Sequence, residues 1–345
     1  MTRIAYLVSS ATEITMADGT THPTGYFAEE ALKPYGRFVA AGFDVVVVTP
    51  DGQAPTADPY GLNWFFHYPE EDKDYLNSVV RTFAVDPDDI RFTLHHATEL
   101  GLAAARRLAE AIQARGLSRA EAHAAVSRAA KVAWREDRTI ADVLSDDSNL
   151  AGGLTAAEIR DAVDAQRRAS EALAATRKAK LDTISGFQQP ADLRSLTDQE
   201  LTSFDAVFAP GGHGPMVDLA DNPDVGRLLV ALHAKRAPIA SLCHGPVLML
   251  SAPERPDGQW LFDGYRMTCF TDEEEDQTEP GKLGLPWYVD TALKNAGAVF
   301  DDGPAAWASH VVVDRHIITG QNPGSTEAVA DAVIKALTAA ATEAA

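Results

Sequence analysis

Residues 237–251 read APIASLCHGPVLMLS, and the predicted fold depends on this stretch. The apolar run PIASL, which ends at Leu242, has the composition of a strand buried in a parallel sheet, and Cys243 follows it directly. The small residues Ser241 and Gly245 flank the cysteine two positions away on each side. Because a sharp strand-to-helix turn tolerates little side-chain bulk at these positions, the stretch predicts a nucleophile elbow.

Further apolar runs on both sides of this turn predict more strands. They cover residues 4–8, 43–48, 205–209, 266–270, 310–314 and 316–319, and the last two would be joined by a tight turn. The segment 27–42 has helical character, although Pro34 is expected to interrupt or kink it. Residues 325–341 predict a final helix. Strands that alternate with helices predict an α/β sheet whose catalytic loops follow the carboxyl ends of the strands.

Residues 94–182 break this alternation, since they are rich in Ala, Arg and Glu. Apolar residues at helical spacing predict three helices, over 94–115, 119–136 and 156–182, and a short helical turn near 140–145. Two capping boxes, Ser118 with Glu121 and Thr155 with Glu158, support two of the starts. We therefore predict an α/β domain made of 1–93 and 183–345, with 94–182 as an all-helical insertion.

The chain has 345 residues and a formal net charge of −20. Such an acidic surface repels phosphate backbones and anionic lipid, so we expect neither nucleic acid nor a membrane as a partner. No apolar run approaches the roughly 20 residues of a membrane span, and the two cysteines, Cys243 and Cys269, are too few for a disulfide-stapled secreted domain. We expect a soluble cytoplasmic protein with free thiols.

The two cysteines differ in their expected roles. Cys243 would lie near a helix N-terminus, where the helix dipole and free amides lower a thiol pKa from its usual value of about 8.5. Cys269 lies within a predicted strand, which indicates a core residue. Metal ligation is not indicated, because His95 and His96 are adjacent rather than at i, i+4 spacing and no cysteine pair supports zinc.

Five segments in order resemble the ThiJ/PfpI branch of the class I glutamine amidotransferase-like superfamily. They are the N-terminal segment PTGYFAEEALKPYGRFVAAGFDVVVVTPDG, the glycine-rich APGGHGPMVDL, the nucleophile motif ASLCHGP, and the segments FTDEEE and ITGQNPGST. The first and the last two are similar to the heat-shock-chaperone and glutathione-independent glyoxalase branch. The resemblance covers about residues 1–70 and 183–340. It implies a flavodoxin-like parallel sheet sandwiched by helices.

The resemblance also implies a set of site residues. Cys243 would be the nucleophile, His244 the catalytic histidine and Glu30 the family's essential glutamate, whose carboxyl lies beside the sulfur. The acid that orients the histidine would be Glu275, with Glu274 as the alternative if the acidic run is aligned one residue differently. The oxyanion and substrate-binding loop is expected at Gly211, Gly212 and His213, although His213 could equally face solvent.

The resemblance leaves several functions open. The first is a cofactor-independent enzyme, a glyoxalase-III-like lyase that converts a 2-oxoaldehyde such as methylglyoxal into a 2-hydroxy acid. The second is a cysteine hydrolase or hydratase acting on an amide, an isonitrile or a peptide, and the third is a stress chaperone or thiol redox sensor. A small-molecule substrate and a homodimer are expected, without a cofactor. Separately, GLSRAEAHAAVSRAA and GLTAAEIRDAVD resemble the C-terminal helical region of the fumarase and argininosuccinate lyase superfamily.

Overall fold

In a computed structural model of the chain, which describes residues 1–62, 69–80, 100–148 and 151–343, two structural units are distinct. One comprises Met1–Leu62 with Arg177–Ala345, and the other comprises Asn63–Thr176. The sequence predicted a boundary at residue 93, and this position lies outside the described residues. The predicted division into a discontinuous α/β domain and a helical insertion therefore stays a prediction.

The first unit is built on a seven-stranded sheet. Its strand order is β10-β11-β7-β6-β1-β4-β5, and each neighbouring pair is parallel except the antiparallel pair β10 and β11. The order β4-β1-β6-β7-β11 is the flavodoxin-like order of a doubly wound fold, as predicted. The strands are β1 Arg3–Leu7, β4 Asp44–Thr49, β5 Ala191–Asp192, β6 Ala206–Ala209, β7 Ile239–Leu242, β10 Val311–Asp314 and β11 Ile317–Gly320.

The central strand β1 explains why the sheet is covered on both faces. Ile4 and Tyr6 belong to one hydrophobic cluster, whereas Ala5 and Leu7 belong to another. Successive side chains of a strand point to opposite faces, so an uninterrupted apolar strand needs a core on each side. Helices of this unit supply both cores; its helices are Ala28–Ala40, Ser185–Gln188, Asp198–Thr202, Pro215–Asp218, Pro223–Ala234, Asp272–Glu275, Glu279–Leu283, Val289–Ala296 and Thr326–Glu343.

The first of these helices, α1 (Ala28–Ala40), runs continuously through Pro34, contrary to the expected interruption. Proline at this position removes the N–H that would bond the carbonyl of Glu30. The buried hydroxyl of Tyr6 instead donates toward this carbonyl at 3.3 Å and to that of Ala31 at 2.5 Å. The helix therefore keeps the carbonyl groups at this point hydrogen-bonded.

Two small sheets lie beside the main one. Strands β2 (Glu13–Thr15) and β3 (Thr21–Pro23) are antiparallel, and β8 (Arg266–Met267) pairs in parallel with β9 (Val299–Phe300). The strand predicted over 266–270 is thus only two residues long, and Cys269 lies beyond its end. Cys269 is nevertheless fully buried in a hydrophobic core, as expected.

The second unit has a hydrophobic core of its own, formed by residues between Leu76 and Ala162. The predicted helices at 119–136, 140–145 and 156–182 are confirmed, as are both capping boxes. The helix predicted over 94–115 is shorter in the described residues, because Leu100 and Gly101 form a turn in which Gly101 has a φ of 71°. A 3₁₀ helix covers Leu102–Ala104 and the α-helix covers Ala105–Gln113, while residues 94–99 lie outside the described residues. Its helices are Glu70–Val80, Ala105–Gln113, Arg119–Glu136, Ile140–Asp146 and the greater part of Ala156–Asp182, which continues into the first unit. No helix within the described ranges combines the length and apolarity needed to cross a membrane.

Candidate active site

Cys243 occupies a strained turn at the carboxyl end of β7. Its φ is +57°, a left-handed conformation that a non-glycine residue adopts only at a cost in energy. Hydrogen bonds on both sides hold it there, because its N–H donates to the carbonyl of Gly320 and its carbonyl accepts from Phe270 N, both at 2.9 Å. The thiol is buried, with 3 % of the residue exposed. This is the predicted elbow, followed by a seven-residue 3₁₀ helix, Gly245–Ser251, rather than an α-helix.

The glycine-rich loop after β6 approaches the cysteine so closely that it excludes side chains. A Cβ on Gly211 would lie 2.7 Å from Cys243 Cβ and 2.8 Å from His244 N. Gly212 has a φ of +94°, and a Cβ there would lie 2.4 Å from the carbonyl oxygen of Gly25. The backbone N–H groups of Gly212 and His244 favour the thiolate form of Cys243 and act to lower its pKa. Two backbone donors thus converge at the position where an oxyanion hole was expected.

Glu30, on the first turn of α1, brings a carboxyl group to the same point. The residue is completely buried, and Gly211 N donates to its Oε2 at 2.8 Å. Its carboxyl also interacts with the Cys243 thiol, while Oε1 accepts no hydrogen bond from a nitrogen or oxygen of the described residues. Its neighbour Glu29 instead forms ion pairs with Lys33 and Arg177. A Cβ on Gly211 would lie 2.8 Å from Glu30 Oε2 and 2.7 Å from Cys243 Cβ, so the carboxyl group lies next to the cysteine, where it was predicted.

Burial dominates the acid–base behaviour of this pair. It raises the pKa of Glu30 to about 8, against the hydrogen bonds from Gly211 and the thiol. Burial also raises the pKa of the Cys243 thiol well above its usual value, and the charge of Glu30 raises it further. The sequence-based expectation of a lowered thiol pKa is therefore wrong in direction. Without an α-helix at the turn, the neighbouring amides do not outweigh burial beside a carboxyl group.

His244 connects the thiol to a carboxylate. Its Nδ1 lies 3.2 Å from Cys243 Sγ, and its Nε2 lies 2.6 Å from Glu275 Oε2. The ring is buried and stacks on Phe270, with centroids 4.7 Å apart. Burial and the charge of His213 lower the pKa of His244, so the imidazole is neutral. With the Nε2 proton donated to the carboxylate, the Nδ1 lone pair faces the thiol and can accept its proton.

Glu275 is held by more than one histidine. Its Oε1 lies 2.9 Å from His213 Nε2 and accepts a 2.9 Å hydrogen bond from Thr278 Oγ1. Burial opposes its ionisation, but the two imidazoles outweigh burial and lower its pKa. The predicted position of this acid, next to the imidazole of His244, is thus the one observed.

The neighbouring Glu274 points elsewhere, to a structural network. Its Oε2 closes a capping box with Thr271. Its Oε1 accepts three hydrogen bonds of 2.6–3.0 Å, from Trp307 N, Asn322 Nδ2 and Gln321 Nε2. Glu274 is fully buried and does not contact the imidazole of His244, so the geometry disfavours the alternative alignment of the acidic run.

His213 joins the site rather than facing solvent. It is buried, and its ring centroid lies 4.2 Å from that of His244. Its Nδ1 lies 4.0 Å from Asp58 Oδ2. Burial opposes the imidazolium form, but the charge of Glu275 outweighs it and raises the pKa of His213. Sequence reasoning missed Asp58 and Thr278, because neither belongs to a motif with a mechanism and each reaches the site only through tertiary contacts.

Three of these side chains could also ligate a metal ion. The candidate ligand atoms of His213, His244 and Glu275 lie within 4.8 Å of one another. Two imidazoles and one carboxylate form a donor set that zinc and other transition metals accept. Sequence analysis did not predict this group, because its members come from three distant segments rather than from one motif with ligand spacing.

Two protein-family profiles match the chain. The DJ-1/PfpI family profile matches residues 156–336. The adenylosuccinate lyase C-terminus profile matches residues 101–178, in the stretch whose sequence resembles a lyase helical region.

Several curated proteins are similar to part of the chain. Glutamine amidotransferase-like class 1 domain-containing protein 1 of Bos taurus is 35% identical over 143 residues, or 41% of this chain and 62% of that protein. Glyoxalase 3 of Candida albicans is 28% identical over 148 residues (42% and 63%). Protein/nucleic acid deglycase HchA of Pseudomonas aeruginosa is 32% identical over 151 residues (41% and 50%). The chain thus matches less than two thirds of the length of each of these relatives.

Solved structures share the fold. The crystal structure of glyoxalase III from Candida albicans has a TM-score of 0.55 and 17% identity, and the match covers 97% of both chains. The Rapid Encystment Protein 24 KDa of Francisella tularensis has a TM-score of 0.56 and 18% identity, with 98% and 99% covered.

Proposed function

The chain belongs to the DJ-1/PfpI family, and from this membership we propose that it is a cysteine-dependent enzyme that converts a small 2-oxoaldehyde into the corresponding 2-hydroxy acid. Relatives named glyoxalase and deglycase support this class of activity. The observation that carries the proposal is the buried carboxyl of Glu30 beside the Cys243 thiol. Isomerisation of an oxoaldehyde needs a group that moves a proton between adjacent carbons, and a carboxyl with a pKa of about 8 is available in both protonation states near neutral pH.

In the first step, the Cys243 sulfur adds to the aldehyde carbon, and a C–S bond replaces the carbon–oxygen π bond. His244 Nδ1, 3.2 Å from the sulfur, accepts the thiol proton and delivers it to the new alkoxide oxygen. The product is a hemithioacetal. The backbone N–H groups of Gly212 and His244, which lie beside Cys243, stabilise the negative charge that develops on this oxygen.

In the second step, ionised Glu30 accepts a proton from C1 to form an enediol, and the hydroxyl proton of C1 passes to the oxygen of C2. The carboxyl proton of Glu30 exchanges with solvent before Glu30 donates a proton to C2. C1 loses two electrons to C2, so the product is the thioester of a 2-hydroxy acid and no redox cofactor is consumed. Water then attacks the thioester while His244 accepts a proton from it. The free acid leaves, and the thiol regains its proton.

A second candidate is a thiol hydrolase. The chain Cys243–His244–Glu275 is by itself the arrangement that acyl transfer requires, with a nucleophile, a base and a group that orients the base. Acyl transfer gives no role to the carboxyl of Glu30. The two candidates therefore differ in their dependence on that residue.

The proposal is tested by incubating the purified protein with methylglyoxal in D₂O, without added cofactor and with a chelator present. We expect lactate that carries deuterium at C2. Cys243→Ala should abolish its formation, whereas the matched control Cys269→Ala should retain it. Lactate formation that survives in Cys243→Ala would contradict the proposal, and amide hydrolysis that survives in Glu30→Gln would favour the hydrolase.

A further inference from the structure

A cavity of about 730 Å³ lies in the first unit, at the amino ends of strands β7 and β11. Arg315 and His316 directly precede β11, and Arg236 precedes β7, which runs parallel to β11. Cys243 follows the other end of β7, so this cavity is separate from the candidate active site. Its lining residues are His233, Ala234, Arg236, Tyr265, Arg315 and His316.

The cavity is basic in a chain whose net charge is −20. Arg236 makes no ion pair with any carboxylate of the described residues. The guanidinium of Arg315 lies 3.9 Å from the centre of the Tyr265 ring, and its contact with Asp314 is a long one of 3.6 Å. Two arginines are thus presented to the cavity with little compensating negative charge.

Two imidazoles add hydrogen-bonding groups to the same wall. His233 Nδ1 and His316 Nε2 are 3.1 Å apart. Burial lowers the pKa of both, that of His316 to about 4, and the neighbouring arginines lower both further. Positive charge is therefore already in excess here, and a bound anion would offset it.

Two of the residues that line the cavity have an unusual backbone conformation. Arg236 and Arg315 have φ values of 54° and 57°, in the left-handed region that favours glycine. They are two of the six non-glycine residues in this region within the described ranges. Strained residues of this kind concentrate where a ligand is clamped. Both turns thus keep an arginine where a glycine would cost less.

We propose that this cavity binds the phosphoryl group of a small phosphorylated molecule. Two guanidinium groups and two imidazoles line the cavity, and a phosphoryl group offers them nearly two negative charges and three strong acceptor oxygens. A volume of about 730 Å³ exceeds that of one oxyanion, so the organic part of the ligand lies against the Tyr265 ring.

Isothermal titration calorimetry with inorganic phosphate, pyrophosphate and citrate tests this proposal. We expect pyrophosphate to bind more tightly than citrate. Arg236→Gly and Arg315→Gly should each weaken pyrophosphate binding by about tenfold or more, the effect of removing a charge-assisted hydrogen bond, without lowering the melting temperature. Arg236→Gln, which leaves the backbone preference unchanged, should give the same loss.

The matched control is Asp221→Gly, which removes the same left-handed strain (φ 50°) at the other end of the helix Pro223–Ala234. It should leave the affinity unchanged. No heat of binding from either phosphoryl probe at millimolar concentration would overturn the proposal. Tighter binding of citrate than of pyrophosphate would also overturn it, and so would arginine variants that bind pyrophosphate as tightly as the unmodified protein.

Discussion

Cys243 and Glu30 are two weak acids that lie close together in the buried site. Burial raises the pKa of each, and the charge of Glu30 raises the pKa of the Cys243 thiol further. At neutral pH the pair therefore keeps its protons until a substrate arrives, and the thiolate forms as His244 Nδ1 accepts the thiol proton. The nucleophile is thus activated by a neighbouring base rather than by a permanently lowered pKa.

Replacing Glu30 by Gln separates thiol reactivity from catalysis. Above pH 8 the change removes the charge that raises the thiol pKa, so we expect iodoacetamide to label Cys243 faster at pH 9, by about tenfold for each unit that the pKa falls. Turnover of methylglyoxal should fall at least about a hundredfold, the scale of a positioned acid–base group. Labelling of Cys269 should be much slower than that of Cys243 in both proteins, because it is completely buried.

Glu29→Gln is the matched control for this change, because Glu29 precedes Glu30 but pairs with Lys33 and Arg177. It should leave both labelling and turnover near those of the unmodified protein. Slower labelling of Glu30→Gln would contradict our account, since it would show that the Glu30 carboxyl group stabilises the thiolate.

The raised pKa of Glu30 also predicts how stability depends on pH. A carboxyl whose pKa rises from about 4.3 in the unfolded chain to about 8 in the folded protein binds its proton more tightly when folded. Its contribution to stability is complete below the unfolded pKa and is lost as the pH rises through about 8. Between pH 5 and 8.5, the free energy of unfolding should therefore fall more steeply in the unmodified protein than in Glu30→Gln, by about 2–4 kcal/mol over the range.

Urea unfolding at a series of pH values measures this difference. Parallel pH profiles for the two proteins would contradict a raised pKa at Glu30. Because only the slopes are compared, a constant loss of stability in the variant does not affect the conclusion.

Site residues that belong to sequence motifs were predicted, whereas residues that reach the site only through tertiary contacts were not. The strand–turn–helix pattern predicted Cys243, whereas Glu30 and the glycine loop were predicted from the resemblance of their motifs to a known family. Asp58 reaches His213 through a loop contact that leaves no periodic or spacing signal. The thiol pKa was predicted with the wrong sign, since burial cannot be read from a local sequence.

At the scale of one element, the short helix Asp272–Glu275 directs neighbouring carboxylates to different tasks. Glu275 contacts the imidazoles of His213 and His244, whereas Glu274 binds the loop that contains Gln321 and Asn322. Successive side chains of a helix point about 100° apart. Adjacent glutamates of this helix therefore reach different partners, the site histidines for Glu275 and a structural network for Glu274.

We expect Glu275→Gln to lower kcat by about a hundredfold or more while changing the melting temperature little, because a glutamine can still accept one imidazole N–H. We expect Glu274→Gln to lower the free energy of unfolding by about 1–3 kcal/mol, because one of its buried donor partners loses an acceptor, with kcat less affected. Steady-state kinetics and thermal unfolding of the two variants check this division. Glu273→Gln is the control on the exposed face, and a larger loss of kcat in Glu274→Gln than in Glu275→Gln would reverse the assignment.

Sequence patterns predicted the ends of some helices and strands but not of others. The helices Arg119–Glu136 and Ala156–Asp182 were predicted to the residue, because each begins at a capping box. The helix predicted over 94–115 carries no such box, and among the described residues its α-helical part is Ala105–Gln113. The strand at 266–270 shortened to Arg266–Met267, since a run of apolar residues identifies burial and not pairing. The interruption expected at Pro34 is absent, because Ala28–Ala40 is one helix, while the alternative, a kink, stays a prediction. The Tyr6 hydroxyl donates to the Ala31 carbonyl there and makes a longer contact with that of Glu30.

At the scale of the whole molecule, the cores of the two units are made of different residues. The core of the second unit runs from Leu76 to Ala162, and the two clusters around the sheet draw only on the first unit. The sequence predicted a helical block at 94–182, but the end of its last helix belongs to the first unit. There Leu181 is buried in a sheet cluster and Arg177 pairs with Glu29.

Two deletions test the proposed organisation. Replacing residues 63–176 by a Gly/Ser linker should leave a folded protein, because the first unit keeps its own cores. Replacing residues 94–182 should be less stable, since it removes the buried side chain of Leu181, at a cost of about 2–5 kcal/mol. Circular dichroism and urea unfolding of both proteins provide the comparison. An unfolded 63–176 replacement would show that the first unit depends on the second.

The most direct test of the central claim is intact-protein mass spectrometry during reaction with methylglyoxal, with acid quenching on the timescale of one turnover. We predict that Glu30→Gln accumulates one adduct, with the mass of one methylglyoxal, which peptide mapping assigns to Cys243. The unmodified protein should release lactate without accumulating the adduct, and Cys243→Ala should form neither. Lactate release by Glu30→Gln at the unmodified rate, or an adduct at another residue that is required for turnover, would contradict the account.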